Sequence, residues 1–257
     1  MTIQSSGAIS FSDLQTEFGG SNPISFSEYY RNADPQLVTP NNLAIPETGS
    51  QIDLSEFYDK WYGIAVLYEI IGGGGGGASG EIGNDTPTNT APDGSNGSST
   101  SLSVLSGKIQ FGSLMSAAGG GGGNANRGNP FPDGSLAGSS SYYGAGGAGG
   151  ANSDSGNHTN GSSPAATAYG AGGGSGGTSF ETNSSGYGGG DGTRIASTVY
   201  MEASAQITVS IGAGGAGGTA QSGVYTAGGA GASGYAKFTK GNDVEEFTSS
   251  GTYTVPS

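Results

Sequence analysis

The chain has 257 residues, 55 of them glycine and none cysteine, with 7 Lys+Arg and a net charge of −13. An apolar fraction of 32% leaves a conventional core to serve roughly a third of the chain. The absence of cysteine excludes a disulfide framework and a thiolate metal site. The thin scatter of basic residues excludes a nucleic-acid stripe and a basic membrane-surface helix.

Residues 1–63 differ in composition from the rest of the chain and read as an N-terminal module. They hold a short repeat: Ile9-Ser10-Phe11-Ser12-Asp13-Leu14, Ile24-Ser25-Phe26-Ser27-Glu28-Tyr29 and Ile52-Asp53-Leu54-Ser55-Glu56-Phe57. Each copy offers an apolar pair, a serine suited to capping a helix, and an acid that the helix dipole favours in the first turn. The helical turns predicted after these caps are Leu14 to Phe18, Tyr29 to Arg31 and Phe57 to Trp61, with a turn at Gly19-Gly20-Ser21-Asn22-Pro23. Phe11, Phe18, Phe26, Tyr29, Tyr30, Phe57, Trp61 and Tyr62 are more aromatic surface than so small a unit is expected to hide, and all but Tyr62 are taken as docking candidates. Met1 to Phe11 carries no basic region ahead of an apolar stretch, so no secretory signal is expected.

Residues 64–240 form the glycine-rich body. Strand candidates are 64–71, 102–105, 108–115, 195–201, 205–211 and 234–239; the longest apolar run, Ile64 to Ile71, is far too short to span a bilayer. Between the strands lie glycine tracts at 72–77, 119–123, 144–150, 170–177, 212–218 and 227–232. Gly144-Ala145-Gly146-Gly147-Ala148-Gly149-Gly150 recurs letter for letter at Gly212 to Gly218. The non-glycine residues fall every third position: Ala145, Ala148 and Ala151; Ala213, Ala216 and Thr219; Ala227, Ala230 and Ser233. Three is the period of the polyproline II helix. It leaves two edges bare, so backbones can approach within bonding distance. A flexible linker is the alternative, but a linker has no reason to hold a register. Collagen is excluded by the 10 prolines, which avoid the tracts. The fold class expected is mostly irregular/β: a polyglycine II helix bundle with a few edge β-strands and a small N-terminal module of short helices. Residues 241–257 read as a C-terminal strand or arm.

The stretch Ile70-Ile71-Gly72 through Gly77, the run Ile207 to Gly215, Gly234-Tyr235-Ala236-Lys237-Phe238 and Phe247-Thr248-Ser249-Ser250-Gly251-Thr252-Tyr253-Thr254-Val255-Pro256 resemble the glycine-rich domain of tailed-phage tail fibres. The repeat Ile9 to Tyr30 resembles a short N-terminal module of phage virion proteins. In that family the Phe-Thr-x-x-Gly-Thr-Tyr-Thr-Val-Pro segment precedes the strand that runs into the glycine block, whereas here it ends the chain. The order is therefore permuted, or the tail completes a neighbouring subunit. The family includes adhesins whose glycine tracts stack as polyglycine II helices with loops at one end on the host surface. The resemblance thus implies a virion location, a tail fibre or tail tip, docking to other virion proteins through residues 1–63, and a homo-oligomer, with a trimer as one form.

Chemistry-bearing patterns are sparse. Gly144 to Gly149 and Gly212 to Gly217 match GxGxxG, but no helical pattern comes after them to hold a pyrophosphate. His158, the one histidine, lacks a nucleophile context and zinc partners. No catalytic residue, metal ligand or cofactor is expected, and the chain is read as a non-enzyme. Specificity is expected in the loops 84–100, 124–143, 152–169 and 179–194, gathered at a common tip. Receptor-contact candidates are Phe131, Tyr142, Tyr143, His158, Tyr169, Phe180 and Tyr187, with Tyr225 a further aromatic beside a glycine tract; tyrosine is a rigid, amphipathic contact surface. The partner expected is a bacterial surface glycan or outer-surface protein, with no nucleic acid and no membrane insertion. Alternatives are a capsid-decorating or head-fibre protein and an ice-binding polyglycine II protein.

Overall fold

The structure is a computed structural model, and it describes residues 3–33, 42, 44–81, 91–111, 115–124, 137–150, 159–177, 186–221 and 225–256. Its strands are β1 (Ile64–Ile71), β2 (Gly80–Glu81), β3 (Thr100–Ser106), β4 (Ile109–Phe111), β5 (Ser116–Ala117), β6 (Arg194–Met201), β7 (Gln206–Ser210), β8 (Tyr225–Thr226), β9 (Tyr235–Lys240), β10 (Asp243–Phe247) and β11 (Gly251–Thr254). They form a five-stranded sheet of order β10-β9-β1-β6-β4, a four-stranded sheet of order β11-β7-β3-β5, and a β2-β8 ribbon. All pairings are antiparallel.

The expected fold class is corrected by this architecture. Among the described residues the chain is organised by antiparallel sheets, with 27% of residues in strands and a single α-helix, rather than by a polyglycine II bundle with edge strands and a helical N-terminal module. The physical reason is where burial is available. Glycine has no side chain to hide, so the apolar surface sits in the strands. Val66, Tyr68 and Ile70 of β1 and Val199 and Met201 of β6 share one core with Ile207 and Val209 of β7, Phe238 of β9 and Tyr253 of β11. Each such side chain contributes about 1.5–3 kcal/mol on burial. The C-terminal residues close this core from within the same chain: β10 pairs with β9, β11 with β7, and Val255 is 1% exposed.

The turns of the N-terminal repeat start at Phe11, Phe26 and Leu54, ahead of the expected Leu14, Tyr29 and Phe57. Helix α1 spans Phe11–Phe18 with Ser10 as its cap, and Asp13 reaches back to the Ser10 backbone. The second and third copies are single 3₁₀ turns, Phe26–Glu28 capped by Ser25 and Leu54–Phe57 capped by Asp53. Leu14, Phe18, Tyr29, Ile45 and Phe57 gather into a second, separate core. Trp61 comes just after it and lines a hollow with Val104, Gly107, Lys108, Ile109 and Gln110, at the β3–β4 turn.

The glycine-rich segments belong to no strand, yet they are tied to one another. The segment 72–78 lies at their centre. Gly73 and Gly76 donate N–H to Ser98 and Ser95 (both 2.9 Å), Gly74 and Gly77 to Ala232 and Gly229 (2.8 and 2.9 Å), and Gly72, Gly75 and Ala78 to Thr193, Gly190 and Tyr187 (3.0, 2.9 and 3.0 Å). The carbonyls complete the set: Gly73 and Gly76 accept from Gly120 and Gly123, Gly74 and Gly77 from Gly215 and Gly218, Gly75 and Ala78 from Gly173 and Gly176. Each neighbour is met at every third residue. A Cβ on Gly75 would lie 1.9 Å from the Gly121 carbonyl oxygen, so only glycine permits this approach. On the outer segments Ala145, Ala148, Ala213, Ala216, Thr219, Ala230 and Ser233 point to solvent. Side chains supply acceptors at this rim: Ala216 N–H donates to Ser95 Oγ (2.7 Å) and Ala148 N–H to Ser162 Oγ (2.8 Å).

The described residues of 3–62 lead through Trp61, beside the β3–β4 turn, into β1. β1 runs about 26 Å at ~3.3 Å per residue, and its last residue, Ile71, enters the glycine segments. Those segments alternate in direction. Their far end is marked by the ribbon of Gly80–Glu81 with Tyr225–Thr226 and by the contacts of Ser79 with Pro92, Asn124 with Tyr187, and Thr159 with Gly177.

Candidate functional site

Four tyrosines meet where the glycine segments join the five-stranded sheet. Tyr142 and Tyr143 are the middle residues of a turn closed by Ser141 N–H on the Gly144 carbonyl (2.9 Å). The turn lays Tyr143 over Tyr235 at the head of β9, with ring centroids 5.0 Å apart. Tyr169 stacks on Tyr235 at 4.6 Å and 13° between planes, and meets Tyr143 edge-on at 5.6 Å. Tyr235 is covered to 1% exposure by this stack, while Tyr142 stays 71% exposed.

The ionic groups beside the cluster come from neighbouring strands. Arg194, the first residue of β6, donates from Nε to Glu69 Oε1 of β1 at 2.6 Å, and its guanidinium lies 4.2 Å from the Tyr142 ring centroid. The bond to Glu69 raises the Arg194 pKa. Burial raises that of Tyr143, helped by the Glu69 carboxylate. Tyr235 rises furthest, from burial and then from its hydrogen bond to Glu246. The hydroxyls of Tyr143 and Tyr235 therefore stay protonated through neutral pH and can donate.

Below the cluster the outward face of the sheet carries a groove of about 350 Å³, lined by Leu67, Glu69, Ala196, Thr198, Lys237 and Thr239 among others. The register makes these residues neighbours: Leu67 lies between Thr198 and Thr239, and Glu69 between Ala196 and Lys237. Leu67 is 59% exposed and Val244, opposite Thr239, 52%. The outward face of the other sheet is plainer. Ser101, Ser103, Thr208, Ser210, Thr252 and Thr254 make it mostly hydroxylic and uncharged, with Gln206 beside Thr254 and Leu105 exposed on β3.

The structure thus unites Tyr142, Tyr143 and Tyr169 and separates them from Tyr187, whose carbonyl accepts from Ala78 at the far end of the glycine segments. Phe131, His158 and Phe180 lie outside the described residues. So do 84–90, 125–136, 152–158 and 179–185 of the four candidate loops; the described remainder includes hydrogen-bonded glycine segments, the Ser141–Gly144 turn, the turn that carries Tyr169, and the first residues of β3 and β6. Sequence reading did not single out Tyr235, Arg194 or Glu69. A basic residue opening one strand and an acid inside another carry no local signal, because only the β1–β6 register makes them partners.

The docking candidates are placed differently from one another. Phe18, Tyr29, Phe57 and Trp61 are buried, at 7%, 1%, 0% and 4% exposure, so their surface is spent inside this chain. Phe11 and Phe26 pair at 4.6 Å on the outside of that core. Tyr30 is half-buried and donates to the Ser50 carbonyl at 2.9 Å. Among the described residues no cluster of His, Cys, Asp or Glu could hold a metal ion, and no helix is long and apolar enough to cross a membrane.

Comparisons with protein-family models, with curated proteins and with solved structures return no match for this chain.

Proposed function

We propose that this chain is a structural protein of a bacteriophage virion, a tail-fibre or tail-tip subunit that takes part in attachment to the host surface. One observation carries the reading: the molecule has two unlike ends. The described residues of 3–62 hold a small core of their own, and Trp61, just after it, stands beside the β3–β4 turn. The segments 72–79, 118–124, 171–177 and 211–220 run from the sheets to the opposite end, and 91–99, 187–193 and 227–234 return. A rigid spacer with a distinct module at its base suits a protein that is held at one end and presents the rest outward. The net charge of −13 speaks against a polyanionic partner. The half-buried Phe11–Phe26 pair is the part of the base left for a neighbouring virion protein.

Gold-labelled antibody against the chain, imaged on intact virions, tests the proposal. Label on tail fibres or the tail tip is expected. Label confined to the capsid, or none on the particle, overturns it.

A further inference from the structure

Building on the attachment reading, we infer that the groove on the outward face of the five-stranded sheet, headed by Tyr142, binds an uncharged bacterial surface glycan. The groove of about 350 Å³ falls at the lower end of the volumes found for ligand sites, about 300–1,000 Å³. The groove, together with Tyr142, which is joined to its Glu69 through Arg194, combines three things a sugar needs. Tyr142 is a rigid aromatic plate, 71% exposed and held by Arg194 from one side, on which the C–H face of a pyranose can lie. Leu67 provides an apolar floor. Glu69, Thr198, Thr239 and Lys237 set hydrogen-bonding groups of both senses around it.

Charge decides which glycan. Although the chain as a whole is strongly acidic, this face is balanced: Glu69 pairs with Arg194 at 2.6 Å, and Lys237 stands opposite both Glu69 and Glu246 in the β1–β9 and β9–β10 registers. A neutral ligand meets no net field there, while a polyanion would meet the acidic remainder of the chain. A peptide adding as a strand is disfavoured by the edge, because β10 presents exposed Asp243, Glu245 and Glu246.

The full chain is applied to an array of purified neutral and anionic bacterial surface polysaccharides, beside Tyr142→Ala, Leu67→Arg and, on the opposite sheet, Thr252→Arg. Binding to a neutral polysaccharide that falls at least about tenfold in the first two variants and holds in the third is expected; a tenfold loss is one contact of about 1.4 kcal/mol. Unchanged thermal melting shows that the variants fold. Equal loss in Thr252→Arg, no loss in Tyr142→Ala and Leu67→Arg, or binding to anionic polysaccharides alone overturns the inference. If no polysaccharide binds but the chain still blocks phage adsorption, the groove is wrong and attachment through a protein receptor stands. If it neither binds nor blocks, the attachment reading falls as well.

Discussion

The rings of Phe238 and Tyr253 stack with centroids 4.2 Å apart and 8° between planes, one from β9 and the other from β11. They belong to different sheets, so this contact seals the shared core with the last strand of the chain. Tyr253→Ala should therefore destabilise the whole body, by about 3–5 kcal/mol as for other buried aromatic truncations. Denaturant unfolding measures it. A loss below about 1 kcal/mol would show that β11 is an accessory strand.

The glycine segments predict a sharp contrast between two glycines that sequence cannot distinguish. A Cβ on Gly75 would lie 1.9 Å from a carbonyl oxygen, whereas one on Gly121 meets nothing within 4 Å. Gly121→Ala should be neutral or stabilising by up to about 1 kcal/mol, because it removes unfolded-state freedom. Gly75→Ala should abolish folding of this region, as should Gly147→Val and Gly215→Val, whose Cβ atoms would meet carbonyls at 1.9 and 2.0 Å. Ala148→Ser, on an exposed edge, should be mild. Comparable melting temperatures for Gly75→Ala and Gly121→Ala would refute the packing.

Thr100 is a buried junction. Its hydroxyl donates to the Ile71 carbonyl at 2.6 Å and accepts from the Gly212 N–H at 3.0 Å, tying the end of β1 to the starts of β3 and a glycine segment. Thr100→Val keeps the shape and removes both bonds. It should cost about 1–3 kcal/mol for each group left unpaired, and speed amide exchange at Gly212. Exchange at Gly212 as slow as in the parent chain would argue that the hydroxyl is dispensable.

Alkaline pH should destabilise the fold through its tyrosines. Unfolded tyrosine loses its proton near pH ~10. Burial, with the Glu245 and Asp243 charges adding to it, pushes Tyr253 up to about 12, and burial raises Tyr143 and Tyr235 as well. Above the unfolded value the native chain binds more protons than the unfolded one, so stability declines as pH rises from about 10 to 12. Tyr253→Phe should make that decline shallower, and the tyrosinate absorbance of the parent should show a late-titrating group. A decline equally steep in both proteins contradicts the assignment.

Much of the local structure could be read from the residues in order. Ile64 to Ile71 is the strand its apolar run suggests, and β6 and β9 lie within a residue of their expected bounds. The three-residue register of the glycine tracts reappears as partners met at every third residue. The caps were harder: Ser10, Ser25 and Asp53 take the place expected of Ser12, Ser27 and Ser55, because the acid serves at the third helical position. The short strands β2, β5 and β8, two residues each, have no period to read.

By itself the sequence determined what each stretch could do. Alternating apolar residues can bury one face, glycines admit close backbones, and a charge of −13 turns polyanions away. The tertiary structure alone decided which stretches meet. Weighting 55 glycines made a glycine bundle the expected fold, but a strand's stability depends on partners far along the chain. Arg194 finds Glu69 across 125 residues, and Tyr235 is covered by tyrosines from two distant turns. Such pairs leave no local periodicity, since register and side-chain stacking arise only when the sheets close around their common core.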